Sequence, residues 1–84
     1  MRTSDAVQVM VKVLGPHIGE TMARSAAEAH CRKLDLLDGT IGSDQVEQVL
    51  GRLGSGLNIF LGRERSGTVI AEVRRALQAA EARP

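Results

Sequence analysis

The sequence predicts a small all-α fold: a bundle of four helices with a short fifth helical turn. Three observations lead there. Residues 44–61 and 66–80 carry their apolar side chains at helical steps of three and four. Glycine and proline fall between apolar runs and divide the chain into helix-sized pieces. Phe60 is the only aromatic residue, with no Trp or Tyr, so the core is built from Leu, Val, Ile, Met and Ala, a set that suits packed helices better than a sandwich of sheets.

The 84 residues make one domain, 1–84, with frayed ends at residues 1–4 and 81–84. Thr3, Ser4 and Asp5 are N-cap candidates for the first helix, over residues 6–14. That segment carries two periods. Val7, Val9, Val11 and Val13 alternate as in a strand, whereas Val7, Met10, Val11 and Leu14 repeat as in a helix. Helix is preferred, because no second segment offers such a strand a partner. Gly15-Pro16 then reads as a corner, with Gly15 closing one helix and Pro16 at the first position of the next.

The second helix is expected over residues 16–33. Gly19, Ala23, Ala27 and Cys31 lie four apart and form a ridge of small residues along which another helix can approach closely. Arg32 and Lys33 suit its C-terminal end, where the helix dipole favours positive charge. Residues 38–43, Asp-Gly-Thr-Ile-Gly-Ser, form a loop, and Asp44 with Glu47 resembles a capping box. The third helix runs to about Leu53. A turn is expected at Gly54-Ser55-Gly56, then a short helical turn over residues 57–61 that adds Phe60 to the apolar stripe. Gly62 stops it, and the last helix, residues 63–80 or 66–80, buries Ile70, Val73, Ala76, Leu77 and Ala80. At a shift of 47 residues, 13–21 and 60–68 share Leu, Gly and Thr in a common pattern of apolar end, glycine stop and new helix.

Several function classes lack the residues they need. Eleven basic against ten acidic side chains give a formal charge of +1, without the basic excess of a general polyanion binder. The single Cys31 permits neither an intramolecular disulfide nor a cysteine-based zinc cluster, and it fits a reducing compartment. No signal peptide or membrane span is read, so a cytoplasmic location is expected. His30 and Cys31 are neighbours pointing about 100° apart on a helix, and His17 lies thirteen residues from His30, so these three make neither a dyad nor a metal site. Arg32 and Lys33 would depress the Cys31 thiol pKa if they faced it. Gly51-Arg52-Leu53-Gly54-Ser55-Gly56 lacks the lysine and the preceding strand of a phosphate loop. The expectation is a protein that is not an enzyme and needs no cofactor or metal.

A thin core in a short chain, which hides only about 60% of its unfolded surface, favours association. The leading expectation is a helical protein-interaction or oligomerisation module that binds itself or a larger bacterial protein. Its contact surface would be Gly19, Met22, Ala23, Ala26 and Ala27, joined by Val7 and Val11. One alternative is a DNA-binding regulator using Arg52, Arg63, Arg65, Arg74 and Arg75. Another is a small-anion or ligand binder at the helix N-terminus that carries Arg63 and Arg65.

Leu14-Gly15-Pro16-His17-Ile18 followed by an Ala- and Arg-rich helix, and later Leu61-Gly62, resembles the small all-helical tail domains of bacterial signalling proteins such as kinases and response regulators. The likeness spans residues 7–62 in pattern, with Gly15-Pro16 as its motif. It implies an accessory interaction role and transfers no catalytic or binding residue.

Overall fold

The computed structural model describes residues 1–82. It is all-helical, with α1 (Thr3–Ile18), α2 (Glu20–Lys33) and α3 (Ser43–Ala82). Among the described residues the continuous helical spans number three, not the expected four, because the third runs on through a non-helical Gly62, and there is no separate short fifth turn. Gly62, at φ 80° and ψ 161°, bends α3 into two arms, residues 43–61 and 63–82. The arms fold back on each other. The Ser66 hydroxyl donates to the Gly54 carbonyl at 3.1 Å, and Arg74 grips Glu47 through two bonds of 2.9 Å, one from Nε and one from Nη2.

Residues 3–18 are helical throughout, which answers the valine alternation. Ala6, Val7, Met10, Val11 and Leu14 are buried, while Val9 and Val13 are half-buried on the flank. α1 touches both other helices. A helix between two neighbours buries a wide arc, and that arc takes in both valine sets.

The corner lies at Gly19, not at Gly15-Pro16. Leu14 is fully buried and Ile18 packs on the core, so the apolar stripe continues past Pro16. Pro16 gives up one intrahelical bond, but only two helical residues follow it. At the corner, the Gly19 N–H donates to the Gly15 carbonyl at 2.8 Å. The Gly19 carbonyl accepts from the Ala23 N–H at 2.9 Å. One glycine thus closes α1 and opens α2, at φ 89° and ψ 146°.

The chain leaves α2 through Asp35, which adopts positive φ, as Asp tolerates better than most residues. Leu36 and Ile41 are buried beneath the connection to α3. This connection holds the N-terminus, which is therefore not frayed: Thr3 N–H donates to Gly39 and Ile41 N–H to Met1. Thr3 is fully buried. Of the expected C-terminal tail, residues 81–82 are helical and 83–84 lie outside the described residues.

α3 starts at Ser43, and its cap differs from Asp44 with Glu47. The Gly42 N–H donates to Gln45 Oε1 at 2.8 Å, the side-chain arm of a capping box shifted two residues. Glu47 is engaged with Arg74 instead. The expected turn at Gly54-Ser55-Gly56 is absent. The helix runs through it, and Ser55 donates to the Gly51 carbonyl. Gly54 faces the second arm: a Cβ there would stand 3.6 Å from Ile70 Cγ1, an ordinary packing contact.

Candidate functional site

The small-residue ridge of α2 is part of the chain's own core. Ala23, Ala27 and Cys31 have no exposed surface, and Val7 and Val11 of α1 are buried in the same cluster. Both α1 and α3 pack on α2, and α1 does so more extensively. Four of the seven proposed contact residues, Val7, Val11, Ala23 and Ala27, are thus withdrawn from any partner. Ala26 is half-buried, Gly19 is exposed at the corner, and Met22 keeps 46% of its surface exposed.

The arginines are not a free set either. Arg74 spends its guanidinium fork on Glu47, and the pair holds the Glu47 carboxyl below its ordinary pKa, chiefly through the hydrogen bond. Arg52, Arg63, Arg65 and Arg75 are exposed. Arg63 borders a shallow groove of about 390 Å³ between the two arms, with Ser55, Asn58, Ser66 and Gly67. The Ser66 hydroxyl, buried there, already donates to Gly54, so it is not waiting for an anion. Arg65 does not line this groove.

Each histidine and the cysteine has its own surroundings. His17 Nε2 lies 3.9 Å from Glu72 across the α1–α3 contact. His30 is half-buried with Nδ1 unpartnered, and burial, then Arg52 and Lys33, lower its pKa. Burial, then Glu28, raises that of Cys31. The flanking bases therefore do not activate the thiol. Among the described residues, no group of three or more His, Cys, Asp or Glu side chains is placed to hold a metal ion. None of the described helices is long and apolar enough to cross a membrane.

What stands out is the tip of the α3 hairpin. Phe60 is 65% exposed and Ile59 is 85% exposed. The apolar stripe of the first arm places Phe60 inside, yet Leu57 is the last residue of that arm to be buried. Register explains this. α1 runs against the second arm in the opposite direction, with Val9 beside the groove that holds Ala79 and Ala80, and His17 opposite Glu72. α1 then turns away at Gly19, while the second arm has nine residues, 63–71, between Glu72 and the bend. At ~1.5 Å per residue that is roughly 13 Å of arm beyond the end of α1. The signal in the sequence was Gly62 itself: a bend directly after Leu61 puts residues 59–61 at the turn of a hairpin, where neighbours are fewest.

Charge follows the same division. At the bend beside Ile59 and Phe60, Arg63 and Arg65 flank the single Glu64, a local net charge of +1. The bend is therefore weakly basic on a chain that is otherwise near neutral. A second concavity, about 610 Å³, runs between α1 and the second arm, lined by Val9, Val13, Ala76, Ala79 and Ala80 with Lys12, His17 and Glu72 beside them. Comparison with protein-family models, with curated proteins and with solved structures finds no match.

Proposed function

We propose that this chain is a non-enzymatic protein-interaction module that docks through the tip of its α3 hairpin. The observation that carries this is the exposure of Ile59 and Phe60. A chain with one aromatic residue among 84 places it on the surface, beside an aliphatic residue more exposed still. Scattered exposed aliphatics are ordinary, but adjacent large apolar side chains on a protruding tip have the character of a contact point. Aromatic and arginine side chains are also the types that most often dominate binding energy at interfaces, and Phe60, Arg63 and Arg65 are within six residues.

Docking on another protein is favoured over self-association through this tip, because two tips brought together would oppose Arg63 and Arg65 of one to those of the other. An accessory or regulatory role in a bacterial cytoplasm belongs to the same proposal. With a single cysteine the chain forms no internal disulfide, which fits a reducing compartment.

The test is proximity labelling in the source cells, with a labelling enzyme fused to the chain. Ile59→Ser combined with Phe60→Ser is expected to remove a discrete set of labelled neighbours, while the exposed-site control Gln8→Ala keeps it. Thermal unfolding of each variant checks that the fold survives. An unchanged set of neighbours with an intact fold would overturn the proposal.

A further inference from the structure

We infer that the partner is a protein presenting an apolar pocket rimmed by carboxylates, which receives Ile59 and Phe60 and sets its rim against Arg63 and Arg65. This rests on the docking role of the tip and adds the chemistry of what docks there. Shape gives the first half. The two exposed residues occupy the last helical turn before the bend at Gly62, on an arm pair that extends past the end of α1. A projecting tip calls for a concave acceptor.

Charge gives the second half. At the bend, Arg63 and Arg65 stand against the single Glu64. A complementary rim is therefore acidic, since like charges facing each other penalise a wrong partner more than good pairs reward a right one. Area sets the strength. Ile59 and Phe60 together offer on the order of 300 Å², well below the ~800 Å² per partner of a standard stable interface. The contact is a weak or transient one in which rim charges count.

The competing occupants fit less well. Another copy's concave groove, between α1 and the second arm, carries Lys12 and His17 on its rim, and its Glu72 already faces His17. An anionic membrane surface is held by clusters of ~4–8 basic residues, more than the tip provides. Duplex DNA offers charge but no pocket for an isoleucine and a phenylalanine.

The test uses the isolated C-terminal lobe of calmodulin as a probe, because calcium opens on it an apolar, Met-rich groove bordered by carboxylates and calcium removal closes it. Calorimetric titration of the full 84-residue chain with the calcium-loaded lobe should give a dissociation constant on the order of 100 μM, as suits so small a contact. Binding should vanish when calcium is chelated. It should weaken at least tenfold in the Ile59→Ser, Phe60→Ser double variant, and about tenfold in Arg63→Glu with Arg65→Glu, each shown folded by circular dichroism. Absence of binding overturns the acidic-pocket partner. Loss with the apolar variant but not with the charge-reversed one overturns the acidic rim. Tip-dependent binding to phosphatidylcholine vesicles containing 30% phosphatidylserine, matching that to the lobe, overturns it in favour of a lipid surface. None of these results alters the labelling experiment, so failure of the partner chemistry and failure of the docking role are distinguishable.

Discussion

Two glycines set the path of this chain, and they do so in nearly one conformation: Gly19 at φ 89°, ψ 146° and Gly62 at φ 80°, ψ 161°. L-residues with a Cβ rarely adopt that region, although space is not the obstacle, since a Cβ at either position would meet nothing within 4 Å. Gly19→Ala and Gly62→Ala should each cost about 1–3 kcal/mol of backbone strain. Gly51, Gly56 and Gly67 sit within the arms of α3 with open space where a Cβ would go. Alanine at any of them should instead stabilise by roughly 0.4–1 kcal/mol. Urea denaturation of the five single variants checks both signs. His30 adds a pH dependence. Its folded pKa is lowered, so the native state favours the neutral ring. Its contribution is present above the unfolded value near 6.5 and is lost as pH falls through the folded value. The melting temperature should therefore fall between pH 7 and pH 5, and His30→Gln should flatten that part of the profile. An unchanged slope would show that the ring does not couple to folding.

At the level of elements, what the sequence made legible was periodicity, and what it concealed was where the glycines act. The all-helical class, the end of α2 at Lys33 and the loop before α3 follow from local chemistry: apolar residues every three or four, terminal bases, and Asp-Gly with Gly-Ser. The corner was displaced because Gly15 and Gly19 are equally able to bend a chain, and only the burial of Leu14 and Ile18 decides between them. Gly54 and Gly56 read as a break for a similar reason. An intrinsic penalty of about 1 kcal/mol per glycine is outweighed by the packing of the two arms, with Leu53, Leu57 and Ile70 buried and Ser66 donating to the Gly54 carbonyl. The resemblance between residues 13–21 and 60–68 pairs Gly15 with Gly62, whereas the structural counterpart of Gly62 is Gly19. Four residues after each corner glycine comes a buried small residue, Ala23 or Ser66. Ala23→Leu should overpack the α1–α2 contact and cost about 1–3 kcal/mol in chemical denaturation. The Arg74–Glu47 pair is exposed on both sides, so a double-mutant cycle should give a coupling below ~1 kcal/mol, lost as acid protonates Glu47 below its ordinary carboxylate range.

For the whole molecule, the ridge on α2 raised the question of where its partner helix comes from, and the full burial of Ala23, Ala27 and Cys31 shows that it is covered from within the same chain. The radius of gyration, 11.6 Å, matches the ~12 Å expected of a compact chain of this length. With the ridge buried in the fold, association is sought where apolar surface remains uncovered, and the most exposed large apolar side chains are Ile59 and Phe60 at the hairpin tip. The tip was hidden from sequence because Phe60 falls in step with Leu53 and Leu57; helical phase reports which face a residue occupies, not whether another element extends far enough to cover it. One turn of helix thus separates a core residue from a contact residue. Urea denaturation of Leu57→Ala beside Phe60→Ser tests this division. Leu57 is 4% exposed, and its truncation should cost about 2–5 kcal/mol. Phe60→Ser should stay within about 0.5 kcal/mol of the parent. A loss at Phe60 equal to that at Leu57 would mean that the tip is packed into the fold and is not a surface offered to a partner.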